Sequence, residues 1–115
     1  MEEQIARVVR ARASNPRWIA GQMRHGHRGA AEIAGTIDHL YALAVLTDAV
    51  ASRHFELLFE ATLGTPLVRD FLVNANPKAA RAIVMRFEEA LTRGFWQSRR
   101  NSTLACLASM RETLA

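Results

Sequence analysis

The sequence predicts an all-α fold, a compact bundle of six or seven short helices without a sheet, in a single domain spanning residues 1–115. Three observations carry that expectation. Apolar residues recur at three- and four-residue spacing along most of the chain, and no segment sustains the period-two alternation of a strand. All three prolines (Pro16, Pro66 and Pro77) follow Asn or Thr, the pairing that caps and opens a helix. A chain of 115 residues has room for one hydrophobic core.

The elements follow in order. Glu2 to Ser14 places Ile5, Val8 and Val9 on one face and Arg7 and Arg10 on another, a short amphipathic helix ended by Asn15-Pro16. A second helix runs from Pro16 to about Arg24 and carries Trp18, Ile19 and Met23. A glycine-bracketed loop, His25-Gly26-His27-Arg28-Gly29, leads into a third helix from Ala30 to Leu46. Its apolar stripe is Ile33, Ile37, Leu40, Tyr41 and Ala44. Ser52 to Leu63 reads as a fourth, with Phe55, Leu58, Phe59 and Thr62 on one side and Gly64 as its stop. Pro66 to Val73 is a short fifth. Pro77 to Thr92 is a sixth, with Ile83, Val84, Phe87 and Leu91 inward and Gly94 beyond its end. Ser102 to Leu114 is a seventh, with Leu104, Leu107, Met110 and Leu114 on its inner face.

Composition narrows the class. Half the residues are hydrophobic and 23% are charged, which is a globular balance. One cysteine and six glycines exclude a disulfide scaffold, a cysteine-rich zinc finger and collagen. No uninterrupted apolar run approaches the roughly 20 residues of a membrane span. The acidic start Met1-Glu2-Glu3-Gln4 is unlike a secretion signal, so a soluble cytoplasmic protein is expected. Fourteen arginines and Lys78 oppose eleven acids, unevenly: residues 1–28 carry a net +4, residues 29–92 a net −3 and residues 93–115 a net +3. Two basic ends around an acidic middle suit a localised anionic surface or ligand better than a uniform polyanion; a solvated, arginine-rich surface is the plainer alternative. A helix-turn-helix reading of residues 52–73 fails because Pro66 to Val73 offers only Arg69 and Asp70 as polar readers, so no nucleic-acid partner is expected.

The segment from Gln22 to Glu32 holds the densest chemistry. His25, Gly26, His27, Arg28 and Gly29, preceded by Arg24, open directly into a helix. Glycines let a backbone approach a ligand closely, and arginines beside free helix N–H groups favour a carboxylate or phosphate. A neutral histidine binds a metal or moves a proton. The alternative is a helix corner in which the arginines are solvated and the histidines cap carbonyls. Elsewhere, His39 and His54 lack a partner four residues away and read as satisfied structural histidines. Cys106 lies among Leu104, Leu107 and Met110, where packing explains it. Asp38 and Glu32, six residues apart, do not form an acid–base pair. Trp18 and Trp96 each follow a turn and read as anchors sealing helix junctions. Full burial of Trp18 would make its truncation to alanine cost about 3–5 kcal/mol.

Several of these residues also carry a resemblance. Asn15-Pro16-Arg17-Trp18, Gly21, Met23-Arg24-His25-Gly26, Arg28-Gly29-Ala30 and Glu32-Ile33 resemble the C-terminal region of the CobN-type large subunits of aerobic cobaltochelatases. So do Val68-Arg69-Asp70-Phe71-Leu72, Ala75-Asn76-Pro77, Glu89-Ala90 and Arg93-Gly94-Phe95-Trp96, and the likeness runs in order from about Arg10 to Asn101. The wider family includes the porphyrin-binding large subunits of magnesium chelatases. The resemblance implies part of an enzyme that inserts cobalt, as substrate, into hydrogenobyrinate a,c-diamide during cobalamin synthesis. ATP would be used by separate CobS- and CobT-type subunits, with no cofactor held tightly by this segment.

Such large subunits are many times longer than 115 residues, so this chain is either an excised piece or a free-standing relative, and independent catalysis is not expected. The implied partners are the remainder of a large subunit, the ATPase pair and the corrin. Trp18, Gly21, Gly26, Gly29 and Glu32 match positions shared with the magnesium branch, which implies a part in shaping the turn. His25 matches the cobalt branch and is the residue the resemblance associates with metal. His27 stands where tyrosine is common. Arg24 and Arg28, with Gly26 and Gly29, would face the corrin's carboxylates. No catalytic residue is assigned.

Overall fold

A computed structural model describes residues 15–47, 56–94 and 100–115. The fold is all-α: among the described residues there are six helical segments and no strand. The expected helix over Glu2–Ser14, the start of the expected fourth helix with His54 and Phe55, and Trp96 lie outside the described residues.

Helix α1, Pro16–Met23, opens as its sequence dictates. Asn15 is extended, and its Oδ1 accepts a hydrogen bond from the Arg17 N–H at 3.0 Å, with Pro16 in the first turn. Helix α2, Gly26–Thr47, starts four residues earlier than the apolar pattern implies, so the expected five-residue loop shrinks to Arg24 and His25. Gly26 makes this possible. Its φ of +54° lies in the left-handed region, which lets the chain reverse and re-enter a helix within two residues. Ile33, Ile37 and Leu40 are fully buried, as their spacing predicts, and Tyr41 is half-buried. The side chain of Ala44 lies outside the described residues.

Residues 56–61 form α3, ending in a turn over residues 62–64. The buried Thr62 hydroxyl donates to the Leu58 carbonyl at 2.7 Å, and the Thr65 hydroxyl donates to the Glu60 carbonyl at 2.8 Å. That second bond explains a departure from expectation. Thr65 precedes α4, Pro66–Ala75, but makes no side-chain cap because its hydroxyl is already committed backwards. Asn76 does cap α5, Pro77–Thr92, accepting from the Ala79 N–H at 3.0 Å. Gly94, at φ +77°, follows α5. Helix α6 is Arg100–Leu114.

The core forms where α5 meets its neighbours. Phe87 is fully buried and meets Phe59 edge to face, ring centroids 5.0 Å apart. Ile83, Val84 and Leu91 of α5 join Ile33, Ile37 and Leu40 of α2, with Leu58, Leu63 and Leu72 completing the cluster. On α6 the inner face is Thr103, Leu107, Met110 and Leu114, whereas Leu104 is exposed, contrary to expectation. At about 100° per residue, Thr103 aligns with the other three and Leu104 sits about a quarter-turn away.

One contact fixes how α1 crosses α2. Gly29 is buried, and a Cβ built there would stand 1.7 Å from the carbonyl oxygen of Gln22. The two backbones touch, leaving no space for any side chain. Gly35, two turns further along α2, has nothing within 4 Å of its would-be Cβ. The same substitution therefore has opposite signs. Gly29→Ala destabilises by about 2–3 kcal/mol or more through forced separation of α1 from α2. Gly35→Ala stabilises by about 0.5–1 kcal/mol through helix propensity. Urea unfolding of both variants checks the pair, and equal effects would refute the close crossing.

Candidate functional site

The candidate site is the α1–α2 corner. Helix α1 closes with Arg24 N–H donating to the Gly21 carbonyl at 3.2 Å and His25 N–H donating to the Gln22 carbonyl at 3.0 Å. Gly26 then turns the backbone, and Gly29 N–H reaches the His25 carbonyl at 3.5 Å. Both glycines are thus demanded by geometry, one by dihedral and one by space. A tight, side-chain-free backbone lies beneath, and the longer side chains of the motif point outward.

Arg24, His25, His27 and Arg28 are all exposed to solvent. Arg24, His25 and Arg28 form no side-chain hydrogen bond or ion pair among the described residues. The corner therefore presents two unneutralised guanidiniums and two accessible imidazoles within five residues. Unpaired arginines at one turn suit carboxylate or phosphate oxygens, which they bind bidentately. His25 caps no carbonyl through its ring. His27 contacts the buried Asn76, whose Nδ2 lies 3.5 Å from His27 Nε2 and donates to the His27 carbonyl at 3.3 Å. Among the described residues no group of three or more His, Cys, Asp or Glu is arranged to hold a metal ion. Any metal at His25 would need further ligands from outside the described residues or from the substrate.

Glu32 is exposed one turn into α2 and its carboxylate has no partner among the described residues, so the glycines and not Glu32 shape the turn. His39 is exposed on α2 and is not a satisfied core histidine; the residues buried beside it are Thr36, Ile37 and Leu40. Cys106 is half-buried against the core, its Sγ 3.8 Å from the Leu63 carbonyl and 3.7 Å from Arg69 Nη1. Trp18 packs against the core but is only half-buried.

Two features escape sequence reasoning. Asn76 reads as a helix cap, and nothing local announces that its amide reaches back 49 residues to His27. Arg86 Nε donates to Asp38 Oδ1 at 2.6 Å and its Nη1 donates to Glu89 Oε2 at 3.0 Å, while its guanidinium lies 4.9 Å from the Tyr41 ring centroid. The hydrogen bond to Asp38, opposed by desolvation and helped by Glu89, raises the Arg86 pKa above its ordinary value. Asp38 thus serves a surface ion pair.

Comparison with known proteins fits this geometry into a family. The CobN/Magnesium Chelatase family model matches residues 1–103. The chain belongs to the CobN/magnesium chelatase family. It is 46% identical over 110 residues to an aerobic cobaltochelatase subunit CobN from Sinorhizobium sp., covering 96% of this chain and 9% of that protein. It is 43% identical over 97 residues to the Pseudomonas aeruginosa subunit of the same name, covering 84% of this chain and 8% of that one. A magnesium-chelatase subunit from Chlorobaculum parvum is 33% identical over 89 residues, 77% of this chain and 7% of its own length. The chain thus spans less than a tenth of these three relatives. No solved structure matches it. Among the described residues no helix is long and apolar enough to cross a membrane.

The half-buried indole revises one energy. Trp18→Ala should cost about 2 kcal/mol, less than the roughly 3–5 kcal/mol of a fully buried tryptophan. Thermal or urea unfolding measures it, and a loss above about 4 kcal/mol would mean the ring carries more of the α1 packing than its exposure implies.

Proposed function

We propose that this chain is a module of a cobaltochelatase large subunit. That subunit takes part in ATP-dependent insertion of cobalt into hydrogenobyrinate a,c-diamide, with CobS- and CobT-type ATPase partners in the cytoplasm. Within it, the α1–α2 corner is a cationic lip that meets the corrin's carboxylates. The observation that carries this reading is the accessibility of Arg24 and Arg28, exposed and without described partners, in a chain so similar to CobN subunits. Arg24 and Arg28 anchor the negatively charged rim. Gly26, whose would-be Cβ meets nothing within 4 Å, leaves room for a flat macrocycle to approach, and Gly29 supports the corner from beneath by holding α1 against α2. His25 takes a metal or a proton as cobalt enters the ring. The module carries no reaction alone, because the rest of the cavity and the ATPase drive lie elsewhere.

A second reading is a non-catalytic helical module that docks a partner protein, a tetrapyrrole or the remainder of the large subunit. It is favoured by an open apolar groove between α5 and α6, lined by Val84, Met85 and Leu114, in which Met85 is 57% exposed.

The experiment is performed in the whole large subunit assembled with its ATPase partners. Arg24→Ala combined with Arg28→Ala should raise the KM for corrin by about tenfold or more, the scale of a lost charge-assisted hydrogen bond. His25→Ala should lower turnover at limiting cobalt. Unchanged kinetics in both would remove the corner from the reaction and leave the docking reading.

A further inference from the structure

Asn76 joins the α4–α5 junction to the corner, and its geometry determines what His27 offers a ligand. The residue is only 6% exposed, so each polar atom of its amide needs a partner. Oδ1 faces the start of α5 and accepts from the Ala79 N–H at 3.0 Å. An NH2 group has no acceptor to give that N–H, so the orientation of the amide is fixed. Nδ2 is therefore the atom that faces His27, 3.3 Å from its carbonyl oxygen and 3.5 Å from its Nε2. The two Nδ2 hydrogens thus face two acceptors.

A donor facing Nε2 requires a bare lone pair there. The proton of the neutral ring then belongs on Nδ1, since the bond made by one ring nitrogen decides the state of the other. We propose that Asn76 is a positioning residue that fixes His27 as the Nδ1–H tautomer, so that its imidazole serves the corner as a hydrogen-bond donor. Nδ1 has no partner among the described residues, and His27 is exposed to solvent. Its complement is an anionic or carbonyl oxygen. Nε2, turned to the buried amide, is withdrawn from metal binding. The two imidazoles of the corner consequently differ: His25 is free to use either nitrogen, and His27 is committed to donation. Its use to a substrate rests on the corner being a corrin-facing lip; the tautomer itself does not.

The test is a long-range 1H–15N correlation spectrum of the uniformly 15N-labelled 115-residue chain, at a pH where imidazoles are neutral. His27 is assigned by the loss of its signals in His27→Gln. His25 and His39, both exposed, serve as internal references and should show the Nε2–H-rich mixture of solvated imidazole. His27 should instead show a protonated Nδ1 and an unprotonated Nε2. Asn76→Asp keeps an oxygen for the Ala79 N–H but turns an acceptor towards the ring, so His27 should switch to Nε2–H. A residue that merely capped α5 would leave the tautomer unmoved by this exchange.

The proposal is overturned if wild-type His27 shows the same mixture as His25 and His39, or if a folded Asn76→Asp retains Nδ1–H. Should Asn76→Asp fail to fold by circular dichroism, the wild-type comparison with the two reference histidines decides alone. Absence of corrin binding beside an intact Nδ1–H signature would defeat the lip reading and leave this one standing.

Discussion

The close approach of Gly29 to the Gln22 carbonyl governs the shape of the α1–α2 corner and of what it carries. Because no side chain intervenes, α1 lies directly on α2, and Ile19 reaches the cluster that contains Ala30 and Ile33. Interiors are packed too densely to absorb an extra carbon between two backbones. Gly26 supplies the complementary requirement, a left-handed residue that lets one helix stop and the next start within two positions of each other. The long polar side chains of the corner are thus raised on a foundation defined by missing side chains. Their exposure follows from packing, since the turn has no interior in which to hide them.

The all-α class and the starts of α1, α4 and α5 are legible in the sequence because their causes are local. Asn15-Pro16 and Asn76-Pro77 signal a cap and a first turn in adjacent residues, and α5 runs over Pro77–Thr92 as its pattern implies. The start of α2 was missed because apolar periodicity begins at Ala30, while the helix begins where Gly26 resets the backbone. Leu104 was misplaced because apolar character does not say which of two adjoining stripes a neighbour covers. At the site, the residue types of the corner stood out in the sequence, but their partners did not. Contacts spanning 48 and 49 residues, Arg86 with Asp38 and Asn76 with His27, arise only when α2 and α5 are laid side by side.

The two faces of α2 handle positive charge differently. Where α2 meets α5, Arg86 is held by Asp38 and Glu89, and Arg86 and Arg93 lie 4.9 and 6.0 Å from the Tyr41 ring centroid. Each exposed ion pair contributes only about 0–1 kcal/mol and each cation–π contact about 0.5–1 kcal/mol, so this face is a set of weak clasps. The acidic middle of the sequence supplies those clasps with Asp38 and Glu89. At the corner no described carboxylate performs that service for Arg24 or Arg28, which is how a segregated charge pattern in the sequence becomes a segregated surface in the fold.

Thr36 and Thr62 are buried, yet each hydroxyl turns back to a carbonyl one helical turn earlier, that of Glu32 at 3.0 Å and of Leu58 at 2.7 Å. In these two bonds polarity is consumed inside single helices and does not bridge two of them. Neither bond selects one helix registry over another, and the aliphatic side chains packed between the helices set their mutual rotation by steric fit. An interior of that kind tolerates exchange among aliphatic side chains of matched volume, and sequence drift in the core can proceed while the corner keeps its shape.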